Sequence, residues 1–219
     1  MKKFKALAVF LILLMPLFFY ILMKEGKHNF RFLEYYGPKH LATNGVDTVY
    51  HTITDFSLKN TEGKTVSLSH TEPSYWVFQF FNASCQEPCK DVFTNMYDVV
   101  RDFATAPKVK FLSITTHPHN DSLSVLKQVM KMNSINPPQW QLCTGDSLET
   151  DSLMRQSFFL KGNNNAALNA VFLIDSKFHL RGIYDGADLL DMKRLKDDIK
   201  ILSYETRQKS KNDEADFNE

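Results

Sequence analysis

Residues 76–89, WVFQFFNASCQEPC, decide the fold of this chain. The first six of them are almost wholly apolar, and so short an apolar run predicts a strand buried at the centre of a sheet. Further along the chain, Val92 and Met96 begin an apolar series at helical spacing. The sequence therefore predicts a central strand followed by a helix, and the helix starts at a pair of cysteines, Cys85 and Cys89.

These two cysteines are the candidate reactive groups of the chain. If the helix begins near Cys85, both sulfurs lie on one face within a turn, and Pro88 suits a first turn because its missing N–H costs nothing there. The positive end of the helix dipole stabilises a thiolate. Such a pair can exchange disulfides or bind a soft metal, and a plain structural disulfide is the alternative.

The residues on either side of this stretch predict an α/β domain. Apolar and polar residues alternate on both sides of residues 60–63, which indicates a β-hairpin ahead of the central strand. Further strands are predicted at 109–115, 140–143, 170–175 and 179–185, and further helices at 123–130, 148–159 and 189–202. This order predicts a thioredoxin-like fold, with a mixed sheet flanked by helices and an N-terminal β-hairpin extension, over residues 51–203.

The two ends of the chain are predicted to lie outside the α/β domain. Residues 1–5 contain three lysines, and the uncharged apolar run 6–23 would reach about 27 Å as a helix, against a hydrocarbon core of roughly 30 Å. No Ala-x-Ala-like cleavage site follows, so we expect an uncleaved transmembrane signal anchor, with a cleaved signal peptide as the alternative. Residues 1–5 would then lie in the cytoplasm and the domain on the periplasmic side of a bacterial inner membrane. Residues 24–50 are predicted to be a linker, and residues 204–219 a disordered charged tail.

Charge and cysteine content narrow the function classes. A formal net charge of +1 gives no field that would attract nucleic acid. Three cysteines are too few for a disulfide scaffold, and Cys143 is predicted to be a small buried hydrophobe rather than a resolving thiol. The cysteine pair therefore remains as the candidate reactive group.

The chain resembles the Sco (SenC) proteins of respiratory copper assembly over residues 49–202. The resemblance rests on an ordered series: Tyr50-His51-Thr52-Ile53-Thr54-Asp55-Phe56, the Gly63 turn, Cys85-x-x-x-Cys89, Leu112-Ser113-Ile114-Thr115-Thr116-His117-Pro118-His119-Asn120-Asp121, Trp140, Thr144-Gly145-Asp146 and the strand at 171–175. It implies a membrane-anchored thioredoxin fold that holds copper with two cysteines and one histidine. Such a protein delivers copper to cytochrome c oxidase, or reduces the cysteines of its copper site, and Cys85 and Cys89 match the sulfur ligands.

Four positions depart from the pattern of that family. Ala167 stands where the family has its histidine, and residues 161–178 contain no histidine at all. Lys90 replaces a proline after the second cysteine, His117 replaces an aspartate, and Cys143 replaces a leucine. Two thiolates without the imidazole suit Cu(I) better than Cu(II), and the lysine adds positive charge that favours the neighbouring thiolate.

We therefore expect thiol–disulfide redox chemistry on Cys85 and Cys89, as a thiol–disulfide oxidoreductase, in the assembly of the copper site of cytochrome c oxidase. Copper binding is expected to be weakened or limited to Cu(I), and the partner to be a thiol or copper-site protein such as a cytochrome c oxidase subunit. One alternative is a copper chaperone in which His117 supplies a substitute third ligand. The other is a catalytically silent thioredoxin-fold interaction module that keeps the disulfide for stability.

Overall fold

The computed structural model of the protein describes residues 14–16, 18, 32–43, 45–69, 72–85, 89–135, 139–161 and 165–216. The chain divides into two units, Met1–Arg31 and Phe32–Glu219. The predicted cytoplasmic residues 1–5 lie outside the described residues, as does most of the predicted span 6–23. Among the described residues, no helix is both long and apolar enough to cross a membrane.

The second unit is built on a mixed β-sheet. In the described part of the chain the strands are β1 (Lys39–Leu41), β2 (Thr48–Tyr50), β3 (Leu58–Asn60), β4 (Thr65–Val66), β5 (Tyr75–Phe81), β6 (Val109–Thr115), β7 (Trp140–Thr144), β8 (Ala170–Ile174) and β9 (Leu180–Asp185). Seven of them form one sheet in the order β4-β3-β7-β6-β5-β8-β9. Strands β5, β6 and β7 run parallel, and β3, β8 and β9 each run antiparallel to a neighbour. The predicted α/β class with a mixed sheet is confirmed.

Helices flank this sheet and join its parallel strands. The described helices are α1 (Cys89–Asp102), α2 (Leu123–Met132), α3 (Ser147–Ser152), α4 (Asn165–Asn169) and α5 (Leu189–Asp216). Helix α1 connects β5 to β6, and α2 connects β6 to β7, as the sequence predicted. The segment predicted as one helix over 148–159 is α3 followed by a π-helical turn, Leu153–Ser157.

The central strand β5 is buried along its whole length. Its side chains alternate between two apolar cores, because successive residues of a strand face opposite sides of the sheet. Val77 and Phe81 lie in the core that also contains residues of α1 and α5, and Phe78 and Phe80 lie in the core on the opposite face. Since β5 and β6 are parallel, the loop that carries Cys85 and the loop after β6 emerge at the same edge of the sheet.

Two hairpins precede β5 in the chain. Strands β3 and β4 pair antiparallel across the predicted turn, where the Asn60 N–H donates to the Lys64 carbonyl at 2.9 Å and Gly63 adopts a φ of 79°. The hairpin of β1 and β2 lies within residues 24–50, which were predicted to be a linker. Every residue of β1 is exposed. A strand without a buried face does not need alternating apolar and polar residues, so this pattern could not identify it in the sequence.

The segment that precedes β1 is fixed to the domain through Arg181. The buried guanidinium of Arg181 donates to the Leu33 carbonyl at 2.8 Å, to the Asp175 carboxylate at 3.0 Å and to the Glu205 carboxylate at 2.7 Å. The Leu33 N–H returns a bond to Glu205 at 2.6 Å, and the ring of Tyr35 lies 4.1 Å from the guanidinium carbon. The described part of the predicted linker is therefore packed on the domain from its first residues.

Helix α5 continues beyond its predicted end. It runs to Asp216, through most of the tail 204–219 that was predicted to be disordered. Glu205 is only 3% exposed and is paired with Arg181, so the helix is still packed at that point. No glycine or proline follows Gly186 to end it. The prediction of disorder relied on charged composition, which does not reveal a buried ion pair.

Candidate functional site

Cys85 and Cys89 are joined by a disulfide, with their Cα atoms 6.0 Å apart. Cys89 is the first residue of α1 and is 2% exposed, whereas Cys85 lies in the loop after β5 and is only partly buried. Within the described residues α1 begins at Cys89, and residues 86–88 between the two cysteines lie outside the described part of the chain. Cys85 is thus the more exposed residue of the pair.

The loop that carries Cys85 is held in place from the end of β6. The buried carboxylate of Asp121 accepts hydrogen bonds from the Ala83 N–H, at 3.2 Å, and from the Thr115 hydroxyl. The Thr116 N–H donates to the carbonyl of Phe81 at 2.8 Å. These bonds join two segments that are more than thirty residues apart in the sequence, and they fix the backbone just ahead of the more accessible cysteine.

A groove of about 190 Å³ opens beside the disulfide, between α1 and the end of α2. Its lining includes Cys85, Cys89, Lys90, Phe93, Val129 and Met132. Lys90 is exposed and places a positive charge next to the pair, as its position in the sequence predicted. The groove gives a partner chain or a small ion access to the sulfurs.

His117 lies in the loop after β6, next to the threonine that bonds to the end of β5. Its Nδ1 is 2.9 Å from the Thr116 hydroxyl, and its carbonyl accepts from the N–H groups of Asn120 and Asp121. The described residues that line the groove include neither His117 nor His119. The role of His117 as a copper ligand stays a prediction.

The position of the family histidine holds no metal-ligating side chain. Ala167, at the position of the family histidine, is a buried residue of α4. Within the described residues, no cluster of three or more histidine, cysteine, aspartate or glutamate side chains is arranged to hold a metal ion. Reduction of the disulfide would present two soft thiolates, which suit Cu(I) and tend to reduce Cu(II).

Cys143 takes no part in this site. It lies in β7, fully buried in the core opposite α1, and burial raises the pKa of its thiol to about 12. The prediction that it is a small buried hydrophobe is confirmed.

Two residues near the site were not assigned a role by the sequence. Asp121 was part of a recognised segment, but only the fold shows that its carboxylate anchors the cysteine loop. Met132 ends α2 and is 76% exposed. It follows Val129 at the stripe's own spacing of three residues, so the sequence pattern did not separate it from the residues that pack on the core.

The protein has similar relatives of known name and structure. It is 26% identical over 102 residues to the SCO1 protein homolog of Bacillus subtilis (strain 168), across 46% of this chain and 53% of that protein. The matched part thus spans about half the length of the curated relative.

Two solved structures share the fold. BsSco, described as a member of the Sco family of cytochrome c oxidase assembly proteins with a disulfide switch, aligns with a TM-score of 0.63 at 20% identity, over 70% of this chain and 94% of its own. Arabidopsis thaliana ScoI, solved with copper bound, aligns with a TM-score of 0.56 at 18% identity, over 71% and 98% of the two chains.

The family model described as SCO1/SenC matches residues 45–201, which include both cysteines of the pair and nearly the whole sheet. This match agrees with the resemblance read from the ordered motifs. The chain belongs to the SCO1/SenC family.

Proposed function

We propose that the protein is a thiol–disulfide oxidoreductase that acts through Cys85 and Cys89 in the assembly of the copper site of cytochrome c oxidase. The observation that carries the proposal is a disulfide between one partly exposed and one buried cysteine, beside an open groove. The family and the names of its relatives support the copper-site partner. A purely structural bridge would not need that access.

The exchange proceeds in two balanced steps. In the reduced protein the Cys85 thiolate attacks one sulfur of a partner disulfide, so that a mixed disulfide forms and the other partner sulfur leaves as a thiolate. The Cys89 thiolate then attacks Sγ of Cys85 and releases the second partner thiolate. The partner gains two electrons and two protons, and the pair loses them to become the disulfide present in this structure. A second dithiol, itself oxidised to a disulfide, restores the reduced pair.

The local geometry assists the second step. The loop ahead of Cys85 is anchored by Asp121, and Cys89 is fixed at the start of α1, so the two sulfurs are held within bonding reach. Holding reactants together in this way replaces a bimolecular encounter by an intramolecular one. The helix N-terminus and Lys90 both stabilise the thiolate of Cys89.

The reduced pair is also proposed to take up copper as Cu(I), as cargo for the oxidase partner. Copper bound in relatives such as Arabidopsis thaliana ScoI supports this part of the proposal. The soft donor set of Cys85 and Cys89 supports the choice of Cu(I).

We further propose that residues 6–23 anchor the protein in the membrane, with the domain on the periplasmic side. The apolar run and its flanking lysines support this arrangement, and an oxidising compartment suits a disulfide. Protease added to intact spheroplasts should digest the domain. Protection from the protease until the cells are lysed would contradict the arrangement.

A redox titration tests the central proposal. We expect the Cys85–Cys89 couple to equilibrate reversibly in glutathione buffers, with a potential between about −120 and −270 mV, the range of catalytic dithiol proteins. A potential below about −300 mV is typical of structural bridges and would support the silent interaction module instead. Loss of copper binding in His117→Ala, with the redox couple unchanged, would favour the chaperone that uses this histidine.

A further inference from the structure

Met132 is an exposed methionine beside the redox pair. It is the last residue of α2, it is 76% exposed, and it lines the same groove of about 190 Å³ as both cysteines. The apolar stripe of α2 is buried through Leu126 and Val129, so Met132 is not needed to fill the core. Three sulfur-containing residues therefore line one small groove.

The chemistry of these sulfurs is complementary. Two thiolates leave the coordination of most metals incomplete, and a thioether is a soft, neutral donor that selects Cu(I). Methionine is unbranched and has three rotatable bonds, so an exposed one can adjust its sulfur position at small cost. Cys85 and Cys89, in contrast, are held by the anchored loop and by α1. Such a site has two fixed ligands and one adjustable ligand.

The surroundings of the groove favour a metal of low charge. Phe93 and Val129 supply apolar walls, and Lys90 supplies one positive charge. Two thiolates and one Cu(I) carry a net charge of −1, which the lysine offsets. Cu(II) would favour harder ligands than these sulfurs.

We propose that Met132 supplies the third ligand to Cu(I) held by reduced Cys85 and Cys89, forming an all-sulfur site. The inference rests on the proposed function, in which the reduced pair takes up Cu(I). A partner dithiol first reduces the disulfide and is itself oxidised. Binding then displaces the protons of those thiols that are still protonated, with no change in the oxidation state of copper.

An anaerobic Cu(I) titration of the reduced protein against a chromophoric Cu(I) chelator tests the site. Met132→Leu keeps the size and apolar character of the side chain but removes the sulfur. We expect it to weaken Cu(I) binding at least about tenfold, since even residues that only support a metal ligand cost this much when they are lost. Met130→Leu, on the same helix but outside the groove lining, should bind as the wild type does.

A second measurement observes the bond directly. In protein made with selenomethionine, X-ray absorption at the copper edge should detect one selenium neighbour of copper, and Met132→Leu should lose it. Thermal unfolding should be unchanged in that variant, because the side chain is largely exposed.

The outcomes separate this inference from the function on which it rests. If Cu(I) binding needs Cys85 but is unchanged in Met132→Leu, and no selenium neighbour is found, the all-sulfur site is wrong while copper uptake stands. If the wild type binds no Cu(I) yet its cysteine pair still cycles in glutathione buffers, both the site and the copper half of the function are wrong. Tenfold weakening together with the selenium signal supports the site.

Discussion

The two cysteines of the pair differ in exposure, and this difference sets the order in which they react. Cys89 is 2% exposed at the start of α1, and Cys85 is only partly buried in the loop ahead of it. A partner sulfur can therefore reach Cys85 first, while Cys89 acts from within the protein. Thiol exchange depends on access as well as on thiolate character, so the two positions are not interchangeable.

Variants that lack one cysteine of the pair test this order. In oxidised glutathione, Cys89→Ser should accumulate a stable mixed disulfide on Cys85, because the resolving thiol is missing. Cys85→Ser keeps only the buried cysteine of the pair and should form its mixed disulfide much more slowly. Mass spectrometry without reductant measures both. Equal rates for the two variants would show that exposure does not direct the attack.

Cys143 provides an internal reference for thiol reactivity. Burial raises the pKa of its thiol to about 12, so the thiol stays protonated below that pH and lacks the reactive thiolate. At about pH 8, iodoacetamide should modify Cys85 quickly and Cys89 more slowly in the reduced native protein, and should modify Cys143 only after unfolding in denaturant. Fast labelling of Cys143 in the native state would mean that β7 opens readily.

At the level of elements, the site depends on one contact between two loops at the edge of the sheet. Asp121 follows β6, and its carboxylate accepts hydrogen bonds from Ala83 in the loop after β5 and from Thr115 at the end of β6. Strands β5 and β6 are parallel neighbours, which brings the two loops together. The position of Cys85 is thus set by an element that contains no cysteine.

Asp121→Ala removes this anchor. It leaves the buried donors without a partner and should lower the free energy of unfolding by about 1–3 kcal/mol. The Cys85–Cys89 disulfide should also become easier to reduce, because a looser loop lowers the effective concentration of one thiol near the other. Denaturant unfolding and glutathione titration measure the two effects.

Asp146→Ala is the matched control for that variant. Asp146 caps α3 through the N–H groups of Leu148 and Glu149, away from the cysteines. Its loss should lower the free energy of unfolding by about 0.5–2 kcal/mol and leave the redox potential unchanged. If both variants shifted the potential alike, general destabilisation rather than loop anchoring would be the cause.

At the scale of the whole domain, the buried side chain of Arg181 joins the first segment of the second unit to its last helix. Arg181 in β9 contacts Leu33 and Tyr35 near the start of the second unit and Glu205 in α5. The arginine and the glutamate side chains are only 3% and 4% exposed. Breaking a buried pair leaves an uncompensated charge, which costs far more than breaking a pair on the surface.

Arg181→Met should lower the free energy of unfolding by about 3–5 kcal/mol, as measured by urea denaturation. The double variant with Glu205→Met should recover part of the loss, since it removes one of the two buried carboxylates, Asp175 and Glu205, that lose their arginine partner. Arg155→Met, which breaks the exposed pair with Asp151, is the control and should change stability little. A small effect of Arg181→Met would indicate that water reaches the site and solvates the remaining charges.

The amino-acid sequence was enough to identify the central strand, the helix that follows it, the β-hairpin around Gly63 and the family. It also selected Cys85 and Cys89 as the reactive pair. These features are local or ordered along the chain: a buried strand is an apolar run, a helix has a spacing of three to four residues, and a motif has fixed intervals. They can be recognised without knowledge of any long-range contact.

Long-range contacts set which cysteine is more exposed, what anchors its loop and which residues line the groove. Ala83 meets Asp121 across 38 residues, and Leu33 meets Arg181 across 148. Spacing shows which face of an element is apolar but not which element covers it. Met132 lines the same groove as the cysteines only because the end of α2 lies across that groove from the start of α1. Burial and access are properties of that packing, so they cannot be read from one segment alone.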